Sequence, residues 1–66
     1  MKITFNGQLI EVDSGTTLLS FVTQHDIELE GCAASVDERI VPKSTWSEFV
    51  LEEGMNLDVF TLVAGG

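Results

Sequence analysis

An Asn-Gly dipeptide near the start of the chain constrains the fold more than any other local feature. Residues 2–5 alternate polar and apolar side chains, which is typical of a half-buried strand. Asn6 and Gly7 both tolerate the positive φ of a tight type I′ turn, and residues 9–12 have the pattern of the returning strand. The chain is therefore predicted to begin with a β-hairpin.

An amphipathic segment follows the hairpin. Residues 13–15 interrupt the second strand, and Thr16 is expected to cap a helix with its hydroxyl oxygen. Because His25 and Asp26 mark its end, the helix has about two to three turns and would not be stable alone. It must pack on the hairpin through an apolar face, which comprises Leu18, Leu19, Phe21 and Val22.

Short strands are predicted in the middle of the chain. Residues 32–36 have the pattern of a strand of small side chains, and residues 37–38 that of a tight turn. Residues 39–41 then form a short strand that Pro42 stops, because proline cannot donate to a sheet ladder.

The last third of the chain completes the predicted architecture. Ser44 is expected to cap a brief helical turn that carries Trp46 and Phe49, with Trp46 as a core anchor whose indole N–H finds an acceptor. A turn at residues 53–54 precedes the last strand, residues 56–62. The fold class is therefore α+β, with one mixed sheet packed on one main helix plus a short helical turn.

Length and charge exclude several classes of function. A chain of 66 residues is one domain, and its core leaves little room for an enclosed active site. The net charge of −8 and the three cationic side chains argue against nucleic-acid binding and against an anionic membrane surface. No apolar stretch approaches the roughly 18 residues that span a bilayer, and the first residues lack the pattern of a signal peptide. A single cysteine forms no internal disulfide, so we expect a cytoplasmic protein. The acidic charge favours basic partner surfaces, but a solvated acidic surface with no partner explains it equally well.

Few side chains in this sequence suggest catalysis or metal binding. One histidine and one cysteine are too few for the usual zinc ligand set, so no metal site is expected. Cys32 and His25 are the only candidates for a nucleophile and base pair. Packing explains a cysteine among small residues more simply, and the helix dipole explains a histidine near a helix C-terminus.

The last predicted strand has two different faces. If the first face packs on the helix, Phe60 and Leu62 point outward and form a docking surface for a partner. The alternative for Phe60 is a second small cluster under the turn that carries Trp46. By alternation the two faces comprise Leu57, Val59 and Thr61 on one side, and Asp58, Phe60 and Leu62 on the other.

The chain ends in two glycines, Gly65 and Gly66. A tail without β-carbons is thin and conformationally free, so it can enter a narrow channel on another enzyme. Its α-carboxylate is ionised at neutral pH and is an unhindered nucleophile toward an activated phosphate. The alternative is a frayed end with no chemistry. The Gly-Gly ending also favours residue 66 as the native terminus.

Taken together, these features resemble the ThiS family, the sulfur carriers of thiamine biosynthesis, which have the ubiquitin-like β-grasp fold. The resemblance covers residues 1–66 as a single domain with residues 64–66 as a flexible tail. Its most specific parts are the Ile-Val-Pro segment, residues 40–42, with Trp46 four residues later, and the terminal Ala-Gly-Gly. The other matching segments are residues 3–7, 16–18, 34–39 and 53–54.

The resemblance implies a carrier that is not itself an enzyme and binds no cofactor. An E1-like adenylyltransferase of the ThiF type would use ATP and Mg²⁺ to adenylate Gly66. A sulfur donor, such as a cysteine desulfurase or a persulfide relay, would then yield a Gly66 thiocarboxylate for a thiazole synthase of the ThiG type. Ala64 and Gly65 would lie in the partners' channels, and Phe60 and Leu62 would form the docking patch.

Three alternatives stay open at the level of sequence. The small subunit of molybdopterin synthase has the same tail and fold and delivers sulfur to a pterin, but it is usually longer. A ubiquitin-like interaction module would be indifferent to loss of Gly66. A small cysteine-dependent enzyme would depend on Cys32 and His25 instead.

Overall fold

The computed structural model describes residues 1–61. This part of the chain forms one five-stranded mixed sheet with the strand order β2-β1-β5-β3-β4. Strands β1 and β5 are parallel, and the other neighbouring strands are antiparallel. The predicted α+β class is confirmed. Along the chain, the elements are β1 (Lys2–Phe5), β2 (Gln8–Glu11), α1 (Leu18–Gln24), β3 (Cys32–Val36), β4 (Arg39–Ile40), a 3₁₀ turn (Lys43–Thr45) and β5 (Asn56–Thr61).

The first hairpin forms as predicted from its turn. Asn6 and Gly7 have φ values of 48° and 85°, the left-handed region that a type I′ turn requires. Strand β2 begins at Gln8 and ends at Glu11, one residue earlier at each end than the sequence predicted. The register places Ile10 opposite Ile3, so Ile10 faces the helix and Leu9 lies on the other side of the sheet.

The helix begins one residue later than expected, because Thr17 and not Thr16 is its N-cap. Thr17 has an extended backbone, and its Oγ1 accepts a hydrogen bond from the Ser20 N–H at 3.2 Å. The Thr16 hydroxyl instead donates to the Asp13 carbonyl at 2.7 Å, which closes the preceding turn. The predicted end is correct, since His25 is the C-cap.

Trp46 is the largest fully buried side chain among residues 1–61. Its indole Nε1–H donates to the Val41 carbonyl at 2.9 Å, as expected for a buried tryptophan. The apolar face of α1 and the inner face of the sheet supply most of the rest of the core, and Val41 and Leu51 add to it from the connections. The largest fully buried side chains after Trp46 are those of Phe21, Ile3, Leu18, Leu51, Leu57 and Val22.

Two short connections differ in how well the sequence predicted them. Asp37 and Glu38 both have positive φ, so the tight turn between β3 and β4 is confirmed. Ser44, however, does not cap the helical turn. It lies inside the 3₁₀ turn, which follows Pro42 and has no side-chain cap; the Thr45 hydroxyl donates to the Pro42 carbonyl at 2.7 Å.

Within residues 1–61, no helix is long and apolar enough to cross a membrane.

Candidate functional site

The strand that leads toward the terminal glycines occupies the centre of the sheet. Strand β5 pairs with β3 over all of its residues except the first, Asn56, from Leu57 opposite Val36 to Thr61 opposite Cys32. On its other side it is parallel to β1, but only Asn56 and Leu57 have partners there. The last described residues of the chain are therefore attached firmly on the β3 side and less completely on the β1 side.

The two faces of β5 have the environments that alternation predicted. Leu57 and Val59 are buried against the core. Phe60 lies on the opposite, outer face of the sheet, and 41% of its surface is exposed. It is not a member of the core cluster that contains Trp46.

Two further apolar side chains lie on this outer face, and sequence reasoning missed both. Leu9 is 68% exposed and Ile40 is 64% exposed. Leu9 lies opposite Thr4 on β1, whereas Ile40 lies opposite Ser35 on β3. We call Leu9, Ile40 and Phe60 the outer-face residues. Leu9 and Ile10 are adjacent and both apolar, so only the register could show which of the two points outward.

Small side chains separate two of the outer-face residues. Ala33 lies opposite Phe60, and Ser35 lies opposite both Asp58 and Ile40. The sheet surface between Phe60 and Ile40 is therefore low, with larger apolar side chains on either side. A shallow surface flanked by apolar side chains accommodates a protruding side chain of a partner.

The remaining predicted site residues are Leu62, Ala64, Gly65 and Gly66, and they lie outside the described residues. Their roles in docking, channel entry and adenylation stay predictions, and so does the docking role of Phe60. The described residues show that β5 is held in the sheet by β3 and that the face carrying Phe60 is exposed.

Cys32 and His25 do not form a nucleophile and base pair. The Cys32 thiol is buried, and its Sγ donates to the Leu29 carbonyl at 3.4 Å. The His25 Nδ1 is 2.9 Å from the Phe21 carbonyl, and its ring stacks on the Phe21 ring with centroids 4.1 Å apart. Each polar group is directed at a backbone carbonyl, so packing and capping account for both residues. Within residues 1–61, no group of three potential metal ligands comes together.

A comparison with known protein families assigns this chain. The model of the ThiS family matches residues 3–66, which includes both terminal glycines. The chain belongs to the ThiS family. The Sulfur carrier protein ThiS of Escherichia coli (strain K12) is 30% identical over 66 residues, covering all of both chains. The match therefore extends over the strands and the helix of this chain and over its C-terminal residues.

Solved structures show that the fold is that of ThiS. The crystal structure of a thiamine biosynthesis protein (ThiS) from Geobacter metallireducens has a TM-score of 0.86, with 14% identity and full coverage of both chains. A solution structure of a thiamine biosynthesis protein from the same organism has a TM-score of 0.79 and 14% identity, covering 100% of this chain and 88% of that one. At this identity the likeness shows the fold alone, and it confirms the ubiquitin-like β-grasp.

Proposed function

We propose that this chain is a sulfur carrier of thiamine biosynthesis, with the sulfur held as a thiocarboxylate on Gly66. The observation that supports this most strongly is the match to the ThiS family, which runs from residue 3 through Gly66 and so includes both terminal glycines. The relative with 30% identity over the full length is itself named a sulfur carrier protein. The fold serves as a handle that presents the tail to other enzymes.

The first chemical step makes the carboxylate reactive. A carboxylate oxygen of Gly66 attacks the α-phosphorus of ATP, the bond to the β,γ-diphosphate breaks, and pyrophosphate leaves with its electron pair. Mg²⁺ neutralises phosphate charge during this step. The product is an acyl-adenylate. AMP is a good leaving group from the acyl carbon, whereas the original carboxylate oxygen was a poor one. The reaction takes place in the partner adenylyltransferase, which supplies the ATP site.

The second step replaces oxygen by sulfur. The terminal sulfur of a cysteine persulfide attacks the acyl carbon of Gly66, and AMP leaves. A thiol then attacks the donor's inner sulfur, the S–S bond breaks, and the electron pair stays on the Gly66 sulfur as a thiocarboxylate. The donor cysteine and the thiol end as a disulfide, so the thiol is the two-electron reductant. With inorganic sulfide in place of the persulfide, no reductant is needed.

Catalysis in this scheme belongs to the partners, and the chain is a protein co-substrate. We propose an E1-like adenylyltransferase of the ThiF type, a sulfur donor that ends in a persulfide, and a thiazole synthase of the ThiG type. Ala64 and Gly65 enter the partner channels because they add little or no side-chain width. Phe60 and Leu62 dock the partners, and the exposure of Phe60 on the outer face supports its part in this.

Intact and fragment mass spectrometry tests the carrier function. The protein is incubated with the adenylyltransferase from the same source, ATP, Mg²⁺ and sulfide. We expect one oxygen to be replaced by one sulfur at Gly66. The mass gain nearly equals that of methionine oxidation, so it must be localised to the C-terminal fragment and away from Met1 and Met55. The new sulfur should also react with a thiol-selective alkylating reagent in a Cys32→Ala variant.

A matched control comes from the tail itself. Deletion of Gly66 leaves a glycine carboxylate at Gly65, with identical chemistry but a shorter reach. We expect this variant to keep its folding stability and to lose sulfur loading. Equal loading of both proteins, or an unmodified Gly66 after incubation with an active enzyme, would contradict the carrier function and favour an interaction module.

The similar proteins are ThiS proteins, one of them a thiamine biosynthesis protein, which favours thiamine over molybdopterin biosynthesis as the destination of the sulfur. The loaded carrier should lose its sulfur to a thiazole synthase supplied with its other substrates. It should keep its sulfur in the presence of the large subunit of molybdopterin synthase and a pterin precursor. The opposite pattern would reassign the branch and leave the carrier chemistry intact.

A further inference from the structure

Asn6 links the first turn of the chain to its last strand. Its backbone N–H donates to the Leu57 carbonyl at 2.9 Å, which continues the pairing of β1 with β5. Its side-chain Oδ1 accepts a hydrogen bond from the Val59 N–H, also at 2.9 Å. Asn6 therefore uses both its backbone and its side chain on β5, across 53 positions of sequence.

Strand β5 needs this contact because β1 ends before β5 does. The parallel pairing stops at Phe5 opposite Leu57, because β1 ends there and the hairpin turn begins. Val59 is two residues farther along, it is buried, and its N–H points to the side where β1 has ended. A buried N–H without an acceptor is costly. The Asn6 amide oxygen therefore serves as the acceptor that a backbone carbonyl of a longer β1 would have supplied.

We propose that Asn6 is a positioning residue, which holds the end of β5 at one register and so sets where the strand delivers the tail to a partner. The turn and this contact make different demands on the side chain at position 6. The turn requires a positive φ, which Asn6 adopts at 48°. The contact with Val59 requires a short side chain with an acceptor oxygen, which asparagine also has. The consequence for tail delivery rests on the proposed carrier function; the hold on β5 does not.

Two substitutions separate these demands. Asn6→Gly keeps the turn, since Gly-Gly suits a type I′ hairpin, but it removes the acceptor. Asn6→Asp keeps the turn and places a carboxylate oxygen where Oδ1 was. Thr17→Ala is the control for stability, because it removes the helix-capping oxygen that accepts a hydrogen bond from the Ser20 N–H, a bond that does not involve β5.

Amide hydrogen exchange measured by NMR tests the hold on β5. In Asn6→Gly we expect the Val59 amide to exchange roughly ten- to a hundredfold faster relative to the Val41 amide, which is bonded to Ala34 across the sheet. In Asn6→Asp and in Thr17→Ala the ratio of the two rates should stay near that of the unmodified protein. An unchanged ratio in Asn6→Gly would overturn the proposal.

Sulfur loading tests whether the hold of Asn6 on β5 affects delivery of the tail to a partner. With the adenylyltransferase, ATP and sulfide, kcat/KM should fall in Asn6→Gly on the order of tenfold and recover in Asn6→Asp. Thr17→Ala should load like the unmodified protein. A loss in Asn6→Gly no larger than that in Thr17→Ala would refute positioning and leave Asn6 a turn residue. Failure of the unmodified protein to load would count against the carrier function, while the exchange ratio would still decide whether Asn6 holds β5.

Discussion

Replacement of Phe60 by alanine tests whether the outer face of the sheet contacts a partner. An aromatic side chain contributes about 150–250 Å² when it is fully buried. With 41% of Phe60 exposed, roughly 60–100 Å² is free for a partner to cover. At about 25 cal/mol per Å², the contact is worth about 1.5–2.5 kcal/mol of binding free energy. Affinity for the adenylyltransferase should therefore fall roughly ten- to seventyfold.

The same substitution also affects folding. The other 59% of Phe60, the remainder after the exposed 41%, is covered by the protein itself. Its loss lowers the free energy of unfolding by at most about 2–4 kcal/mol. A chain of this length has a stability of about 3–10 kcal/mol, so circular dichroism must first show that the variant is folded at the assay temperature.

Isothermal titration calorimetry with the adenylyltransferase measures the affinity. Ile40→Ala provides a second variant on the same face with less of its side chain inside the fold, since Ile40 is 64% exposed. Val50→Ala is the matched control, because Val50 is 49% exposed but pairs with Thr17 beside the start of α1. We expect Phe60→Ala and Ile40→Ala to bind more weakly and Val50→Ala to bind normally. Unchanged affinity in both folded outer-face variants would refute the docking surface.

Two further predictions concern the stability of the fold. Trp46→Phe removes the donor to the buried Val41 carbonyl and leaves a cavity, so the free energy of unfolding in urea, followed by circular dichroism, should fall by about 2–4 kcal/mol. A change below about 0.5 kcal/mol would show that the carbonyl needs no partner there. Glu38→Gly relieves a left-handed φ of 71° and creates the Asp-Gly pair that type I′ turns favour. It should stabilise by about 0.5–1 kcal/mol in a thermal melt, and a lower Tm would contradict the turn geometry.

Local features of the sequence determined the elements and the class of the fold. The turn at Asn6 and Gly7 could be predicted because few residue pairs tolerate its φ values. The buried face of β5 could be predicted because alternation has a period of two, and the burial of Trp46 because its size and its single N–H demand a core with an acceptor. The family could be assigned from motifs at fixed spacing. Each of these depends only on the order of residues along the chain and not on which segments meet in space.

Contacts between distant segments were decided only by the tertiary structure. Local preference does not distinguish Thr16 from Thr17 as the cap, and the hydrogen bonds to Asp13 and Ser20 made the choice. The outward position of Leu9 and Ile40 follows from strand register, which depends on partners elsewhere in the sheet. The bond from Val59 to Asn6 spans almost the whole chain. A hydrogen bond over that distance has no local signature, because it exists only where the sheet brings the two ends of the sequence together.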